Sequence, residues 1–311
     1  MADSIIEKFA GFLNKTSSTA ASCARILMGI PAGKVRRAKS ETDGGNSREA
    51  DGGNSREANG GSNGEPRPMV VLGNGPSLKK NLDEDSDWLR DADTLAVNFF
   101  ANTPQFRELR PKYYVLADPH FFDKADTDPN VRKLIDNLNT INFPMTLFIP
   151  SKCGKKTRMF NNPNLKIGRF SFTAVEGYLW FEKLAFRAQW GMPRPRNVLI
   201  PSLMIGIWLG YKQIYILGAD HSWLQTLRVD DENHVVSVQP HFYKEDDKEV
   251  QRIQQVYVQH PLHEVIESMM IAFHSYHKIR WYAGIAGTEI LNATPDSMID
   301  AFKRAKLPKN A

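Results

Sequence analysis

The chain has 311 residues, 41% of them hydrophobic and 24% charged, with a formal net charge of +5 and a pI near 9.0. That length buries a core without staples, and the only cysteines, Cys23 and Cys153, lack metal-ligand spacing; neither a disulfide framework nor a structural zinc site is expected, and a reducing cytoplasm is the natural home. Cations are interspersed, which calls for no nucleic acid and suits an anionic small molecule or membrane surface, while stretches such as Val198 to Leu209 fall short of the roughly 20 residues of a membrane span.

Residues 1–40 open with Ile5, Ile6, Phe9, Phe12 and Leu13 at helical spacing, then Arg25, Lys34, Arg36, Arg37 and Lys39. This predicts a short amphipathic helix and a basic arm. Its role is open between a peripheral contact with the inner face of the plasma membrane or a partner and a loosely ordered tail. Glu7, Lys8 and Lys15 interrupt any secretory signal. In residues 41–67 the stretch DGGNSREA from Asp43 recurs letter for letter from Asp51. Gly, Asn and Ser bury nothing that offsets ordering entropy, so a disordered linker is predicted.

From residue 68 to 307 strand and helix patterns alternate. Apolar runs at Met69–Leu72, Leu95–Phe99, Tyr113–Leu116, Met145–Ile149, Ile214–Leu217 and Ile279–Tyr282 read as strands. Ala174–Trp190, Ser202–Leu209, Lys248–Val258, Pro261–His277 and Pro295–Lys306 read as helices. The alternation predicts one Rossmann-like α/β domain, a mostly parallel sheet with helices on both faces. A polar region at about 221–247 is expected as a lid.

In such sheets ligands bind at loops beyond the carboxyl ends of the strands. After the first strand stands Gly73-Asn74-Gly75-Pro76-Ser77-Leu78, whose glycines permit a tight turn and close approach. Free N–H groups of the following helix would attract a phosphate. The loop is neither a Walker loop nor GxGxxG, so neither ATP nor NAD follows; a structural turn is the alternative. Asn98 and Asp118 close the next two strands, each as a base or ribose contact or as a turn former. Gly218, Asp220 and His221 end another strand, with Asp220 open between an acid–base partner and a loop anchor.

Most of the eight histidines lie between His221 and His277 without metal-ligand order, and no metal is expected. His274 and His277 are placed on the polar face of a helix whose buried stripe is Leu262, Val265, Ile266, Met269, Met270, Phe273 and Tyr276. The adjacent Asp230-Asp231 and Asp246-Asp247 read as solvated turns. His260 precedes Pro261 at a helix start, as a neutral base or a simple cap. His241 and Tyr243, in Pro240-His241-Phe242-Tyr243, are candidates to close on a phosphate.

GNGPSL after the first strand, Asn98 closing the second, and LGYKQIYILGAD after a Ser-bearing helix resemble the bacterial lipooligosaccharide sialyltransferases. They also resemble Rossmann glycosyltransferases of the motility accessory factor type, whose domain is shared with an archaeal-type pterin pyrophosphokinase. The resemblance runs in order from Met69 to Phe302, and residues before Pro68 have no counterpart. It implies Asn74, Gly75 and Ser77 on the donor's phosphate and sugar, Asn98 on the nucleoside, Ser202 near the donor sugar, and His260 as general base. Asp118 stands where the sialyltransferases have Asn. Asp220-His221-Ser222-Trp223 lacks the tyrosines that those enzymes place on the leaving phosphate, with none until Tyr243. The resemblance thus implies an inverting, metal-independent transferase with a nucleotide-sugar donor as substrate, no separate cofactor, and a glycan or glycolipid acceptor. The rivals are a pterin pyrophosphokinase-like enzyme using ATP and magnesium, and a non-catalytic polysaccharide-assembly protein. Sugar, base, acceptor and oligomeric state stay open.

Overall fold

A computed structural model describes residues 2–29, 33–36, 67–237, 242 and 257–308. The repeats, His241, Tyr243, Asp246-Asp247 and most of Lys248–Val258 lie outside the described residues.

Helix α1 (Ala2–Met28) comes first. Strands β1 (Met69–Leu72), β2 (Asp93–Val97), β3 (Tyr113–Val115), β4 (Met145–Pro150) and β5 (Leu165–Phe170) follow. Between β1 and β4 lie helices α2 (Leu78–Glu84), α3 (Ser86–Asp91), α4 (Gln105–Leu109), α5 (His120–Asp123) and α6 (Pro129–Asn139). After β5 come α7 (Leu179–Arg187), α8 (Leu199–Trp208) and β6 (Gln213–Leu217). A short α9 (Trp223–Thr226) leads to a hairpin of β7 (Arg228–Val229) and β8 (Val235–Val236). The chain closes with α10 (Leu262–Ala286), β9 (Glu289–Asn292) and β10 (Lys303–Arg304).

Eight strands form one parallel sheet in the order β10-β9-β6-β1-β2-β3-β4-β5. Every residue of β1 and β2 is buried, because helices cover both faces and leave no side for polar residues. Alternate side chains serve opposite faces. Met69 and Val71 join the cluster under α7, α8 and α10, whereas Val70 and Leu72 join the one under α2 to α6.

The expected Rossmann-like α/β fold is present, with three local corrections. Ile279–Tyr282 is not a strand. Ile279, Tyr282 and Ala283 continue the buried stripe of α10, which ends only where Gly287 takes the left-handed conformation (φ 70°) suited to a residue without Cβ. Pro295–Lys306 holds a turn and β10 instead of a helix. On α10, Leu262, Ile266 and Met270 are exposed, leaving Val265, Met269 and Tyr276 as the buried positions of the expected stripe. No helix among the described residues is long and apolar enough to cross a membrane.

The first helix is longer than the apolar spacing before Leu13 implies. Small residues in its second half allow close approach to the body. Ser22 Oγ donates to Glu176 O at 2.8 Å, Arg25 Nε to Ala174 O at 3.0 Å, and Cys23 and Ile26 pack on the core.

At the amino ends of the strands, buried Tyr211 donates its hydroxyl to Asp93, which also receives Lys112 at 2.7 Å. Burial pushes the Tyr211 hydroxyl far above its ordinary titration range, so it remains a donor. Tyr211→Phe removes one donor from a buried carboxylate and is expected to cost about 1–3 kcal/mol. Urea unfolding would show a lower midpoint at unchanged slope; an unchanged midpoint would refute the role.

Candidate functional site at the strand reversal

The chain steps outward from β1 to β5, then returns to place β6 on the other side of β1. Loops leaving β1 and β6 diverge there, the position at which open α/β sheets form a crevice. A cleft of about 250 Å³ occupies it. Its walls are Gly73 to Pro76 after β1, Val97 and Asn98 at the end of β2, and Gly218 with Asp220 to Trp223 after β6. Arg196 to Leu199 and the α10 residues Ser268, Met269 and Ala272 complete it with Tyr257.

The floor is a backbone seam. Gly73 N–H donates to Leu217 O at 2.7 Å and Gly75 N–H to Gly218 O at 2.8 Å. A Cβ on Gly75 would overlap the Asp220 carboxylate, and one on Gly73 would overlap Gly218 O. Gly218 itself has φ +63°, which L side chains rarely adopt. Asp220 completes the seam by accepting Ser77 N–H at 3.2 Å and Ser77 Oγ–H at 2.9 Å. Desolvation raises its carboxyl above the ordinary range while the Ser77 donors oppose that rise.

These bonds change the phosphate expectation. The N–H groups at the start of α2 are engaged within the protein: Ser77 by Asp220, Leu78 by Gly75 O and Lys79 by Pro76 O. Ser77 sits behind the cleft wall as the partner of Asp220, which acts as the loop anchor. What the loop presents is Asn74, only 8% exposed. Its Nδ2 donates to Val97 O at 3.3 Å, and its Oδ1 is buried without a partner. Asn98 lines the cleft beside it with a left-handed backbone (φ 51°).

Asp118 and Ser202 lie elsewhere. Asp118 is exposed after β3, one strand further from the reversal, where its carboxylate accepts His120 N–H at 2.9 Å. Ser202 is fully buried in α8 and donates to Val198 O at 2.8 Å. Neither lines the cleft. His274 is exposed and His277 faces Asp300 at 3.1 Å. Asp230, Glu232 and His234 cluster at the hairpin tip within metal-ligand distance of one another, but Asp230 accepts the N–H groups of Glu232 and His234 there.

His221 is held by a chain that fixes its tautomer. Asn197 Oδ1 accepts Leu199 N–H at 3.1 Å and Ile200 N–H at 3.4 Å, which sets the amide's orientation. Tyr276 therefore gives its one proton to that oxygen, at 3.0 Å. His221 Nε2, 2.6 Å from Tyr276 Oη, must then carry the hydrogen that Tyr276 accepts. Burial pushes the His221 pKa down to about 3, so the ring is neutral near pH 7. Asn197 Nδ2 is left buried without a partner in the cleft wall. Sequence reasoning missed Asn197 and Arg196. An Asn two residues before Leu199 is a helix-cap signal, but it gave no reason to assign a ligand.

His260 borders a second cavity of about 420 Å³, together with Glu264, Val265 and Glu267. Arg196, Tyr257, Ser268 and Met269 line both cavities. His260 Nδ1 lies 3.0 Å from Glu264 Oε2, and both side chains are about half exposed. The described part of the expected lid packs nearby: Val235 of the hairpin joins Val265 and Met269 of α10, with Trp223 and Leu227 against them. Phe242 N–H donates to Asn74 O at 3.0 Å.

No protein-family model and no curated protein matches this sequence. Among solved structures, the MAf glycosyltransferase from Magnetospirillum magneticum AMB-1 aligns with a TM-score of 0.43 and 11% identity. The alignment covers 76% of this chain and 33% of that one, so the chain spans about a third of that protein's length.

The buried neutral histidine predicts a pH signature. Below pH 6.5 an unfolded chain protonates His221, whereas the folded ring stays neutral until about pH 3. The unfolded state then binds more protons, so stability falls as pH falls through that window, by at most about 1.4 kcal/mol per pH unit. His221→Gln, which can still donate to Tyr276, should flatten the unfolding free energy between pH 6.5 and 5. A slope equal to the wild type's would show that His221 is not the source.

Proposed function

We propose that the chain is an inverting, metal-independent glycosyltransferase that uses a nucleotide-sugar donor, a CMP-linked sialic acid-like sugar among the candidates. One observation carries the reading: a cleft at the strand reversal shares a wall with a cavity that holds a histidine backed by a carboxylate. The first compartment suits a nucleotide, whose base or sugar edges supply a donor for Asn74 Oδ1 and an acceptor for Asn197 Nδ2. The second suits an acceptor hydroxyl.

In the neutral imidazole, Nδ1–H donates to Glu264 and Nε2 is the bare base, a division fixed by the carboxylate. His260 Nε2 takes the hydroxyl proton as the acceptor oxygen attacks the anomeric carbon, and the bond from that carbon to the donor's phosphate oxygen breaks. Positive charge grows on the imidazole beside Glu264, and negative charge grows on the leaving phosphate. Arg196 lines both compartments and is exposed, so its guanidinium is available to that phosphate. In this reading it takes the role expected of the α2 N–H groups, which are already engaged.

A thermal-shift screen over CMP, UDP, GDP and their sugar conjugates, with and without chelator, identifies the donor. A ligand at a hundred times its Kd stabilises the fold by about 2.7 kcal/mol. With the donor in hand, His260→Ala should lower turnover by about 100- to 10,000-fold and leave the donor's thermal shift intact. Turnover within a few-fold of the wild type's would overturn the base assignment. Turnover abolished by chelator would favour the magnesium-dependent pyrophosphokinase, and no stabilising nucleotide would favour the non-catalytic scaffold.

A further inference from the structure

Helix α7 turns an unusual side to solvent. Its buried residues are Phe181, Glu182, Ala185 and Phe186, and its exposed ones are Leu179, Trp180, Lys183, Leu184 and Arg187. That spacing forms one stripe along the helix. Leu179, Trp180 and Leu184 are 53%, 65% and 47% exposed, and Trp190 just beyond the helix is 46% exposed. The outward face of a helix on a globular protein is ordinarily polar. Here the charged positions on it are both cations. Nearby carboxylates are used internally: Glu182 receives Lys278 at 2.6 Å and Gly177 N–H at 3.0 Å, and Glu176 pairs with Arg194.

The N-terminal segment extends the stripe at both ends. At its start, the Phe12 ring meets Tyr178 edge-on at 6.2 Å, and the Thr16 and Tyr178 hydroxyls are 2.8 Å apart. Phe12 and Leu13 remain half exposed beside exposed Lys15. At its far end, Val35 N–H donates to Gln189 Oε1 at 2.6 Å and Gln189 Nε2 to Val35 O at 3.3 Å. Exposed Lys34 and Arg36 are thereby fixed next to the end of α7. Both also border a groove of about 940 Å³ that carries Lys166 and Arg169 and no carboxylate among its described lining.

Exposed Leu and Trp interleaved with cations that form no ion pair among the described residues match an anionic lipid surface, where Trp sits at the headgroup level and cations meet phosphates. A two-fold contact between copies fits poorly. It would bring the Lys183 and Arg187 of one copy near those of the other with no carboxylate on the stripe to separate them. We propose that this face docks the protein on an anionic bilayer, with α7 lying in the interface plane. Leu179, Trp180 and Leu184 enter the boundary between headgroups and acyl chains, while Lys183, Arg187, Lys34 and Arg36 contact phosphates. The surface is independent of how the cleft is read.

The test is co-sedimentation of the full chain with phosphatidylcholine vesicles and with phosphatidylcholine–phosphatidylglycerol vesicles. Binding should require phosphatidylglycerol and weaken as salt rises. Lys183→Gln with Arg187→Gln should weaken it about 25-fold, roughly fivefold per cation removed. Trp180→Ser with Leu184→Ser, exposed changes that leave the core intact, should abolish stable binding. Failure to bind the anionic vesicles, or equal binding by either double variant, would overturn the proposal. So would a dimer in light scattering that Trp180→Ser with Leu184→Ser dissolves, since the occupant would then be a second copy.

Discussion

Where a parallel sheet reverses direction, the loops leaving the two central strands part company, and something must keep the crevice between them from collapsing or splaying. Here the constraint is the seam between Gly73, Gly75 and the carbonyls of Leu217 and Gly218, locked by Asp220 on Ser77. It requires backbones to approach closer than any Cβ allows. It also engages the N–H groups of Gly73, Gly75 and Ser77, which a glycine-rich loop would otherwise offer a phosphate. A seam of this kind makes the loop rigid and commits it to placing Asn74 in the cleft wall.

That commitment leaves the cleft polar but incomplete. Asn74 Oδ1 and Asn197 Nδ2 are buried without partners, and each such group costs about 1–3 kcal/mol relative to a satisfied one. Both amides are oriented by other bonds, Asn74 by Val97 and Asn197 by two N–H groups and Tyr276. Neither can rotate to relieve the deficit without breaking those bonds. A ligand that supplies a donor and an acceptor at these points removes the cost, so the unpaired atoms bias the cleft toward a hydrogen-bonding edge over an apolar one.

The central strands were legible because burial on both faces demands uninterrupted apolar runs, as in Met69–Leu72 and Tyr113–Val115. The edge strand β5 was missed for the converse reason: Lys166 and Arg169 are exposed and dilute its apolar signal. Ile279–Tyr282 misled because a short apolar run has no period of its own. Only the stripe begun at Val265 and the stop at Gly287 reveal the helix. At the site, the double-glycine loop was legible from its position after β1. Asp118 stood open between a ligand contact and a turn former, and the structure shows the turn contact. Ser202 was placed by resemblance alone, which does not reveal that its hydroxyl turns back onto its own helix.

The two histidines at the site are sorted by solvent rather than by sequence. His221 is closed in by Trp223, Phe273 and Tyr276, and taking up a proton there would leave an imidazolium paired with no carboxylate among the described residues. Its role is to carry the hydrogen bond that holds Tyr276, and through it Asn197, in place. His260 is reached by solvent and has Glu264 at 3.0 Å, so a proton arriving on its ring meets an opposite charge already in position. Of the two, only His260 combines access to a cavity with a partner for the charge that base catalysis creates. The base assignment therefore rests on the environment of each ring.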